Sequence, residues 1–590
     1  MKSTHLYKAL LGVAVMTAPF ILPGFAKEPD KKAPAATAPA VNNNEVDWAT
    51  ISRIRGEAFH NSKIMEIMSG ITDGIGPRLT NSPNMRKANA WTRDQLTKFG
   101  LENAHLEKWG PFGNGWAYQK SSVRMTAPDS QEFIALPKAW TPGTNGLLKG
   151  KLQRVKLDTQ ADLDANKGKL AGAILLVGEM RDVAPGDKPK MSRYSEEQLQ
   201  ELGQYPQVQN RAAAPNPFAA MTPEERRRRA EFARALTKFL QDEKVGATIE
   251  PTRLPGVDGT IFVQSGGSYR EGEAIGCPAL VMDIEHYGRL SRLLDQKQDV
   301  EMEVEVQAQF YKDDPYGYDT IAEIPGTDLK DQVVMLGAHL DSWHGGTGAT
   351  DNGAGSGVAM EAVRIIKALD LHPRRTIRIG LWSGEEQGLL GSRGYVAEHL
   401  AARPESPNGM PNPNQQFGGG GANRPQSPFN FKPEWDKVSV YFNLDNGSGK
   451  VRGIYLQENA QAMPIFQKWM EPFKDLGMTT MTMRNTGGTD HLSFDAVGVP
   501  GFQFIQEPLE YDTLTHHSNM DVYERLQRDD LMQASAIMAS FVYEAAMRDE
   551  MFPRKPLSKA DMPPANATPA TADAGKGKVT PDKKDAKKKK

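Results

Sequence analysis

The sequence has almost no cysteine, and this scarcity narrows the chemistry. Cys277 is the only cysteine among 590 residues. The chain therefore forms no intrachain disulfide and has no cysteine cluster for a structural zinc ion. Cys277 precedes Pro278 in an apolar stretch, which is typical of a small packed side chain rather than of a nucleophile.

Long apolar runs are also scarce. The run at residues 9–22 follows Lys2 and Lys8 and is too short to cross a membrane comfortably. With the small residues around Gly24 and Ala26, it predicts a signal peptide over 1–26, cleaved near Ala26, and an uncleaved anchor is the alternative. We expect a secreted or periplasmic protein with no integral membrane segment after cleavage. The lack of disulfides favours a bacterial periplasm or medium.

Net positive charge is confined to the two ends of the chain. The formal net charge is −2, and both ends are basic, so the remainder is acidic and nucleic acid is not an expected partner. The basic run 226–229 lies among acidic residues on a predicted helix over 222–244. It indicates a solvated helix face rather than a nucleic-acid patch.

Strands and helices alternate after about residue 309. Apolar runs predict strands, and 3.6-residue periodicity predicts helices between them. This alternation predicts an α/β domain with a mixed, mostly parallel central sheet and helices on both faces. We assign residues 46–129 and 309–552 to this discontinuous domain. The predicted strands are 333–338, 376–382, 438–444 and 500–505, and the predicted helices are 356–369, 388–401, 460–476 and 529–547.

The other segments differ from this domain in amino-acid composition. Residues 27–45 are rich in Pro, Ala and Lys and predict a disordered leader. Residues 130–308 predict a β-rich insert. Residues 402–433, full of Gly, Pro and Asn, predict a long surface loop. Residues 553–590 predict a disordered, Lys-rich tail.

The stretch MLGAHLDSWHGGTGATD, residues 335–351, is where a buried strand ends in polar side chains. In an extended segment His339 and Asp341 point the same way. Asp341 could then accept the second ring N–H of His339, as a metal-bound imidazole needs. A buried His satisfied by a nearby Asp is the alternative.

Further His and acidic residues follow other predicted strands. Taken singly, each has a simpler interpretation, such as a helix cap, a solvated helix start or a turn residue. Together they fit two metal ions that share a carboxylate, with zinc favoured and cobalt or manganese as alternatives. These residues are Asp351, Glu385, Glu386, Asp445, His516 and His517.

Several motifs resemble the co-catalytic zinc exopeptidase family. They are AHLDSW, TGATDNGAGSG, LWSGEEQGLLGSRGY, YFNLDNGSG, GGTDHLSF and HHSNMD. The family includes leucyl aminopeptidases, glutamate carboxypeptidases and transferrin receptor, and the chain most resembles members like plasma glutamate carboxypeptidase. GKLAGAILLV and ALVMDIEHYGRLSRLL resemble the protease-associated domain that such members carry as an insert, although residues 183–220 are longer than that pattern.

The resemblance implies a ligand set for two Zn²⁺ per chain. His339 and Asp445 would hold one metal, and Glu386 and His517 the other. Asp351 would bridge both, with a cis peptide bond after it.

The resemblance also implies roles around the metals. Glu385 would be the general base, Asp341 would orient His339, and His516 would stabilise the oxyanion. Which of the two adjacent histidines binds metal stays open. Asp490 and His491 would lie near the substrate pocket, and a turn pair is the alternative.

The expected function is that of a metallo-exopeptidase: a secreted or periplasmic zinc hydrolase acting near a free terminus of a peptide or dipeptide, as an aminopeptidase, carboxypeptidase or dipeptidase. A homodimer is implied by the resemblance. One alternative is a non-catalytic, receptor-like binding protein, but no ligand is missing. The other is a single-zinc acyltransferase like glutaminyl cyclases, against which His339 and Asp445 argue.

Overall fold

A computed structural model describes residues 46–183, 186–204, 221–254, 256, 258–408 and 427–562. The predicted signal peptide and leader lie outside this part of the chain, as do residues 409–426 of the predicted loop and 563–590 of the predicted tail. Strands β1–β18 and helices α1–α12 are numbered along the described residues.

The first sheet has eight strands, and its centre is parallel. Strand β11 pairs in parallel with β12 and β15, and β15 pairs in parallel with β18. The carboxyl ends of these four strands therefore meet at one edge. In spatial order the strands are β1 (Glu102–Trp109), β10 (Gly317–Ile324), β12 (Arg375–Trp382), β11 (Leu329–His339), β15 (Val438–Asn443), β18 (Gly501–Gln506), β16 (Val451–Tyr455) and β17 (Thr480–Thr482).

Helices cover both faces of the first sheet because successive strand residues point to opposite sides. Val334 and Leu336 of β11 pack in one apolar cluster, whereas Val333 and Met335 pack in another. The first face carries α1 (Trp48–His60), α2 (Ile64–Thr72), α3 (Pro83–Lys98), α8 (Ala354–Ala368), α10 (Met463–Trp469) and α12 (Arg528–Met547). The second face carries α9 (Leu390–His399) and α11 (His491–Asp495).

Short 3₁₀ and π turns connect these elements. The π turns are Ala349–Gly353 and Tyr511–Thr515, and the 3₁₀ turns are Glu385–Gln387, Ala460–Ala462, Glu471–Leu476 and Tyr523–Arg525.

The second sheet is built mainly from the predicted insert. It begins at Gly115 and ends at Tyr311, because the long β2 pairs with β9; both bounds lie outside the predicted 130–308. Its spatial order is β3 (Gln131–Phe133), β2 (Gly115–Ala127), β9 (Glu301–Tyr311), β5 (Leu148–Arg154), β6 (Ile174–Leu176), β7 (Ala247–Pro251), β8 (Ala279–Met282) and β4 (Ala135–Pro137). Its helices are α4 (Gln160–Asn166), α5 (Glu196–Gly203), α6 (Pro223–Asp242) and α7 (Ile284–Asp295).

The described ends of two predicted irregular segments pack on the first sheet. Strand β13 (Ala401–Ala402) pairs with β14 (Asn430–Phe431) across the predicted loop. The guanidinium of Arg554 donates to the carbonyl of Val438 at 2.8 Å, and Asp561 accepts the backbone N–H of Phe429 at 3.0 Å. Residues 553–562 of the predicted tail thus have ordered contacts.

Candidate metal centre

Four strand ends and loops bring together a cluster of His and acidic side chains. His339 ends β11, Glu385 and Glu386 follow β12, and Asp445 follows β15. Because these strands are parallel neighbours, their carboxyl ends place the side chains at one edge of the sheet. We call the full set the His–carboxylate cluster: His339, Asp351, Glu385, Glu386, Asp445 and His517.

One half of the cluster is centred on His339. Its Nε2 lies 3.4 Å from Oδ1 of Asp351 and 3.5 Å from Oδ2 of Asp445. All three side chains are buried. An imidazole nitrogen and two carboxylate oxygens thus converge on one point.

The other half is centred on His517. Its Nε2 lies 2.9 Å from Oε2 of Glu386 and 3.3 Å from Oδ2 of Asp351. Asp351 therefore belongs to both halves, and each half faces a different one of its carboxylate oxygens.

Several buried ligand atoms in the cluster have no hydrogen-bond partner in the described part of the chain, and this shows whether the residues suit a metal ion. Among the described residues, Nε2 of His339, Oδ2 of Asp351 and Oε1 of Glu386 are buried and have no hydrogen-bond partner. Leaving such atoms unpaired is costly unless a ligand binds them. One ligand atom from each of these three residues lies within 4.8 Å of the others, and the same holds for Asp351, His516 and His517. Ligands of a tetrahedral zinc ion are about 3.3 Å apart, which follows from metal–ligand distances of roughly 2.0–2.1 Å. The donor set fits.

The electrostatics of the cluster also favour binding of cations. Burial raises the pKa of Glu386 to about 7. Burial also raises the pKa of Glu385 well above its ordinary value, and neighbouring carboxylates add to this. For His517, burial opposes protonation, but the charges of Glu386 and Asp351 raise its pKa to about 10. Protons held in this way are what bound cations displace.

The contact between His339 and Asp341 differs from the expected one. Nδ1 of His339 lies 3.0 Å from the backbone carbonyl oxygen of Asp341, whereas the nearest carboxylate oxygen is 3.6 Å away. The carboxylate instead accepts the hydroxyl of Thr80 at 2.7 Å and the backbone N–H groups of Glu385 and Glu386 at 3.2 and 3.4 Å. Asp341 thus orients the histidine through its main chain and the two glutamates through its side chain.

The two adjacent histidines differ in position. His516 Nε2 is 4.0 Å from Oδ2 of Asp351, and its side chain is 39% exposed, against 21% for His517. His517 has φ 55°, in the left-handed region. The shorter distances and deeper burial favour His517 as the ligand.

Asp490 and His491 are fully buried. The Asp490 carboxylate accepts the hydroxyl of Ser392 at 2.6 Å, and Nε2 of His491 lies 3.2 Å from the carbonyl oxygen of Thr486. Within the described chain, neither forms a hydrogen bond or ion pair with the cluster. Their predicted place at the substrate pocket gains no support from this burial.

The residues that hold the Asp351 loop were not found from the sequence. Arg78 donates to the carbonyl oxygens of Leu340, Thr347 and Gly348, each at 2.7 Å. The Asp521 carboxylate accepts the backbone N–H of Asp351 at 3.1 Å. Asp521 stood in the HHSNMD motif without an assigned role, whereas Arg78 had no motif signal at all.

The loop also contains the cis peptide bond that the resemblance implied. The bond between Asp351 and Asn352 is cis. The Asn352 side chain donates to the carbonyl of Leu444 at 2.9 Å, which joins the turn to the end of β15.

Comparisons with known proteins agree with this geometry. The model of peptidase family M28 matches residues 319–542. Carboxypeptidase Q of Mus musculus is 24% identical over 499 residues, which cover 84% of this chain and 88% of that protein. Aminopeptidase YwaD of Bacillus subtilis is 25% identical over 224 residues, which cover 37% of this chain and 42% of that protein.

A solved structure shows the same fold. The peptidase M28 precursor from Shewanella amazonensis has a TM-score of 0.57 at 22% identity, and the match covers 86% of this chain and 99% of that one. The predicted mixed α/β fold is thereby confirmed. The match to the peptidase family M28 model over residues 319–542, together with these relatives, confirms both the resemblance to the co-catalytic zinc exopeptidases and the prediction of a metallo-exopeptidase.

Proposed function

We propose that the His–carboxylate cluster binds two Zn²⁺ and that the protein is an exopeptidase acting near a free terminus of peptides. His339 and Asp445 would hold one ion, Glu386 and His517 would hold the other, and Asp351 would contribute a carboxylate oxygen to each. The observation that carries this assignment is the split of Asp351: Oδ1 faces His339 at 3.4 Å, whereas Oδ2 faces His517 at 3.3 Å.

The charge balance supports cations in addition to ion pairs. Four buried or nearly buried carboxylates face two imidazoles in the cluster. The nearby guanidinium of Arg78 donates its hydrogen bonds to backbone carbonyls and, within the described residues, forms no ion pair with these carboxylates. Unpaired buried carboxylates are strongly unfavourable, and two divalent cations would compensate them.

Glu385 is suited to proton transfer. Its Oε2 is 4.0 Å from Nε2 of His339, beyond hydrogen-bond distance, and its side chain is 10% exposed. Its backbone N–H is fixed by Asp341. When bound, the two cations polarise the substrate carbonyl and lower the pKa of a water molecule. Glu385 then accepts a proton from the attacking water at a carboxylate oxygen and donates it to the leaving amine.

His516 is the candidate donor to the oxygen that gains negative charge. Its half-buried imidazole packs beside the ring of Tyr511, with centroids 4.9 Å apart. Burial and the neighbouring His517 lower its pKa. A neutral ring that donates one N–H can stabilise an oxyanion without binding metal.

The substrate terminus and location are further proposals. One relative is named a carboxypeptidase and the other an aminopeptidase, so a panel of arylamides, free dipeptides and end-blocked peptides is the assay that separates the activities. We propose action outside the cytoplasm, supported by the predicted signal peptide. In the described residues, no helix combines the length and apolarity needed to cross a bilayer. A homodimer stays a prediction.

The decisive experiment distinguishes the role of Glu385 as general base from the role of the other residues as metal ligands. We expect Glu385→Gln to keep two zinc ions per chain while kcat falls by about 10²–10⁴, the usual value of a general base. Metal content and kcat are measured on the same preparation.

Glu386→Gln, the same change one residue along the chain, is the matched control and should lose metal as well as activity. Unchanged turnover in Glu385→Gln would assign the base elsewhere. A metal-free, fully active wild-type protein would overturn the two-zinc centre.

A further inference from the structure

The insert touches the loop that carries His517. The backbone N–H of Val263 donates to the carbonyl of His517 at 2.9 Å, and the N–H of Asn519 donates to the carbonyl of Ile261 at 3.1 Å. Phe262 and Ser518 form an antiparallel bridge between the two segments. A short piece of the insert, residues 259–263, thus pairs with residues 517–519 like a strand.

The side chain of Asn519 doubles this connection. Its Oδ1 accepts the backbone N–H of Ile261 at 2.7 Å, and its Nδ2 donates to the carbonyl of Gly259 at 3.0 Å. The oxygen and the nitrogen of this one side-chain amide therefore both form hydrogen bonds with the backbone of the insert. We call this pair of bonds the Asn519 clasp.

Aromatic rings enclose the imidazole of His517. The ring of Phe262, from the insert, lies 5.4 Å from it, and the ring of Trp343, at the start of the Gly-rich loop formed by residues 343–348, lies 5.8 Å from it. The guanidinium of Arg253, also from the insert, lies 4.8 Å from the centre of the Phe262 ring. The insert thus contacts both the backbone and the ring of this residue.

The Gly-rich loop closes the same junction. A Cβ added at Gly345 would lie 3.0 Å from a methyl group of Val263 and 3.1 Å from the backbone nitrogen of Asn519. Three segments therefore meet so closely that a Cβ at Gly345 would require its neighbours to move by a few tenths of an ångström. A shift of the insert here would move the loop of His517.

His517 depends on such support, because its left-handed φ of 55° is uncommon for a residue with a Cβ and persists only when the surroundings fix it. We propose that residues 259–263 of the insert are a positioning element of the metal centre, with the Asn519 clasp holding His517 in its ligand geometry. This inference rests on the proposed function, in which His517 is a metal ligand. It makes the insert part of the site itself.

The test is zinc affinity of the full chain carrying Asn519→Ala. The purified protein is stripped with a chelator and titrated with Zn²⁺ against a competing indicator. We expect one of the two sites to weaken about 10–100-fold, the usual effect of removing a partner that orients a metal ligand, while the other site is unchanged. Excess Zn²⁺ should restore kcat.

A matched control breaks a different contact between insert and core. The guanidinium of Arg484 donates to the carbonyl oxygens of Glu201 and Gln204 at 2.6 and 3.2 Å. Arg484→Ala should leave both zinc affinities unchanged, even where its midpoint of urea unfolding falls as much as that of Asn519→Ala. Should Asn519→Ala fail to fold, Phe262→Leu keeps the backbone bonds and is expected to weaken the same site by a smaller factor.

Wild-type affinity at both sites in the folded Asn519 and Phe262 variants would overturn the inference, as would an equal loss in Arg484→Ala. A wild-type protein that binds fewer than two zinc ions, or keeps both in His517→Ala, would instead refute the proposed function.

Discussion

Arg78 holds the backbone beside the His–carboxylate cluster without touching a predicted metal ligand. Its side chain is fully buried, and its guanidinium bridges the end of β11 and the Gly-rich loop through Leu340, Thr347 and Gly348. Burial lowers its pKa to about 10, while Asp521 and Asp341 oppose this shift. A planar fork with five N–H donors can satisfy several carbonyls at once, which an ammonium group cannot.

We expect Arg78→Lys to lower the free energy of unfolding by on the order of 3 kcal/mol, because at least two buried carbonyls lose their donors. The measurement is urea unfolding of the metal-free protein. The exposed pair partner Arg93 offers the control, since Arg93→Lys should change stability by less than about 0.5 kcal/mol. Equal effects of the two substitutions would show that the fork is unimportant.

Residues of this kind explain what the sequence could and could not predict at the site. His339, Asp351 and Asp445 were found because acids and imidazoles at the ends of predicted strands are a recognisable pattern. Arg78 acts through backbone carbonyls about 260 residues along the chain, and every residue offers such a carbonyl. Asn519 likewise pairs with main-chain atoms of the insert. Because these partners are main-chain atoms, no residue type in the sequence identifies them.

At the level of elements, burial decided which strands were predictable. The central strand predicted at 376–382 is observed at Arg375–Trp382, and seven of its eight residues are buried. Strands β1 and β2 were not predicted, because their exposure pattern mixes polar and apolar residues. The helix predicted to begin at residue 388 begins at Leu390, since Glu385–Gln387 forms a separate 3₁₀ turn.

Helix α9 is joined to the sheet by an ionic network at its carboxyl end. The imidazole of His399 lies 2.6 Å from a carboxylate oxygen of Glu107 in β1 and 3.0 Å from one of Glu434. Glu434 also pairs with Arg378 of β12 at 2.7 Å. Burial opposes the charge on His399, but hydrogen bonds to the two glutamates raise its pKa to about 9.

This network predicts a loss of stability in mild alkali. A histidine whose folded pKa is raised stabilises the fold fully below its unfolded value of about 6.5, and this contribution is lost as the pH rises through the folded value. Between pH 6.5 and 9 we expect His399 to account for a decrease on the order of 2 kcal/mol, allowing for solvent screening.

The measurement compares urea unfolding of the wild type and His399→Asn across this pH range at constant metal load. The variant should show a flatter dependence. His372→Asn, which changes an exposed histidine, should retain the wild-type slope. Parallel curves for the wild type and His399→Asn would contradict the assignment.

On the scale of the whole molecule, the insert contacts the rest of the described chain at several places, including one where Nε2 of His344 lies 2.7 Å from the carbonyl oxygen of Pro137. One attachment is the Asn519 clasp. A second involves residues 190–204: the N–H of Ser192 donates to Leu509 at 2.8 Å, and Arg193 pairs with Asp530 at 2.8 Å. The long stretch 183–220 departs from the protease-associated pattern, and its described part serves as this second attachment. Metal binding and the conformation of the insert should therefore be linked.

The linkage predicts that removing metal exposes particular amides of the insert. Ile261 and Val263 donate their backbone N–H groups to the His517 loop, whereas Phe262 donates to the hydroxyl of Thr252 within the insert. Zinc at about 1,000 times its dissociation constant stabilises the bound loop by roughly 4 kcal/mol. After chelation we expect exchange of Ile261 and Val263 to accelerate at least about tenfold, and exchange of Phe262 to change little. Hydrogen–deuterium exchange with fragmentation to single residues resolves the three. Acceleration limited to the loops of the first sheet would mean that the insert does not sense the metal.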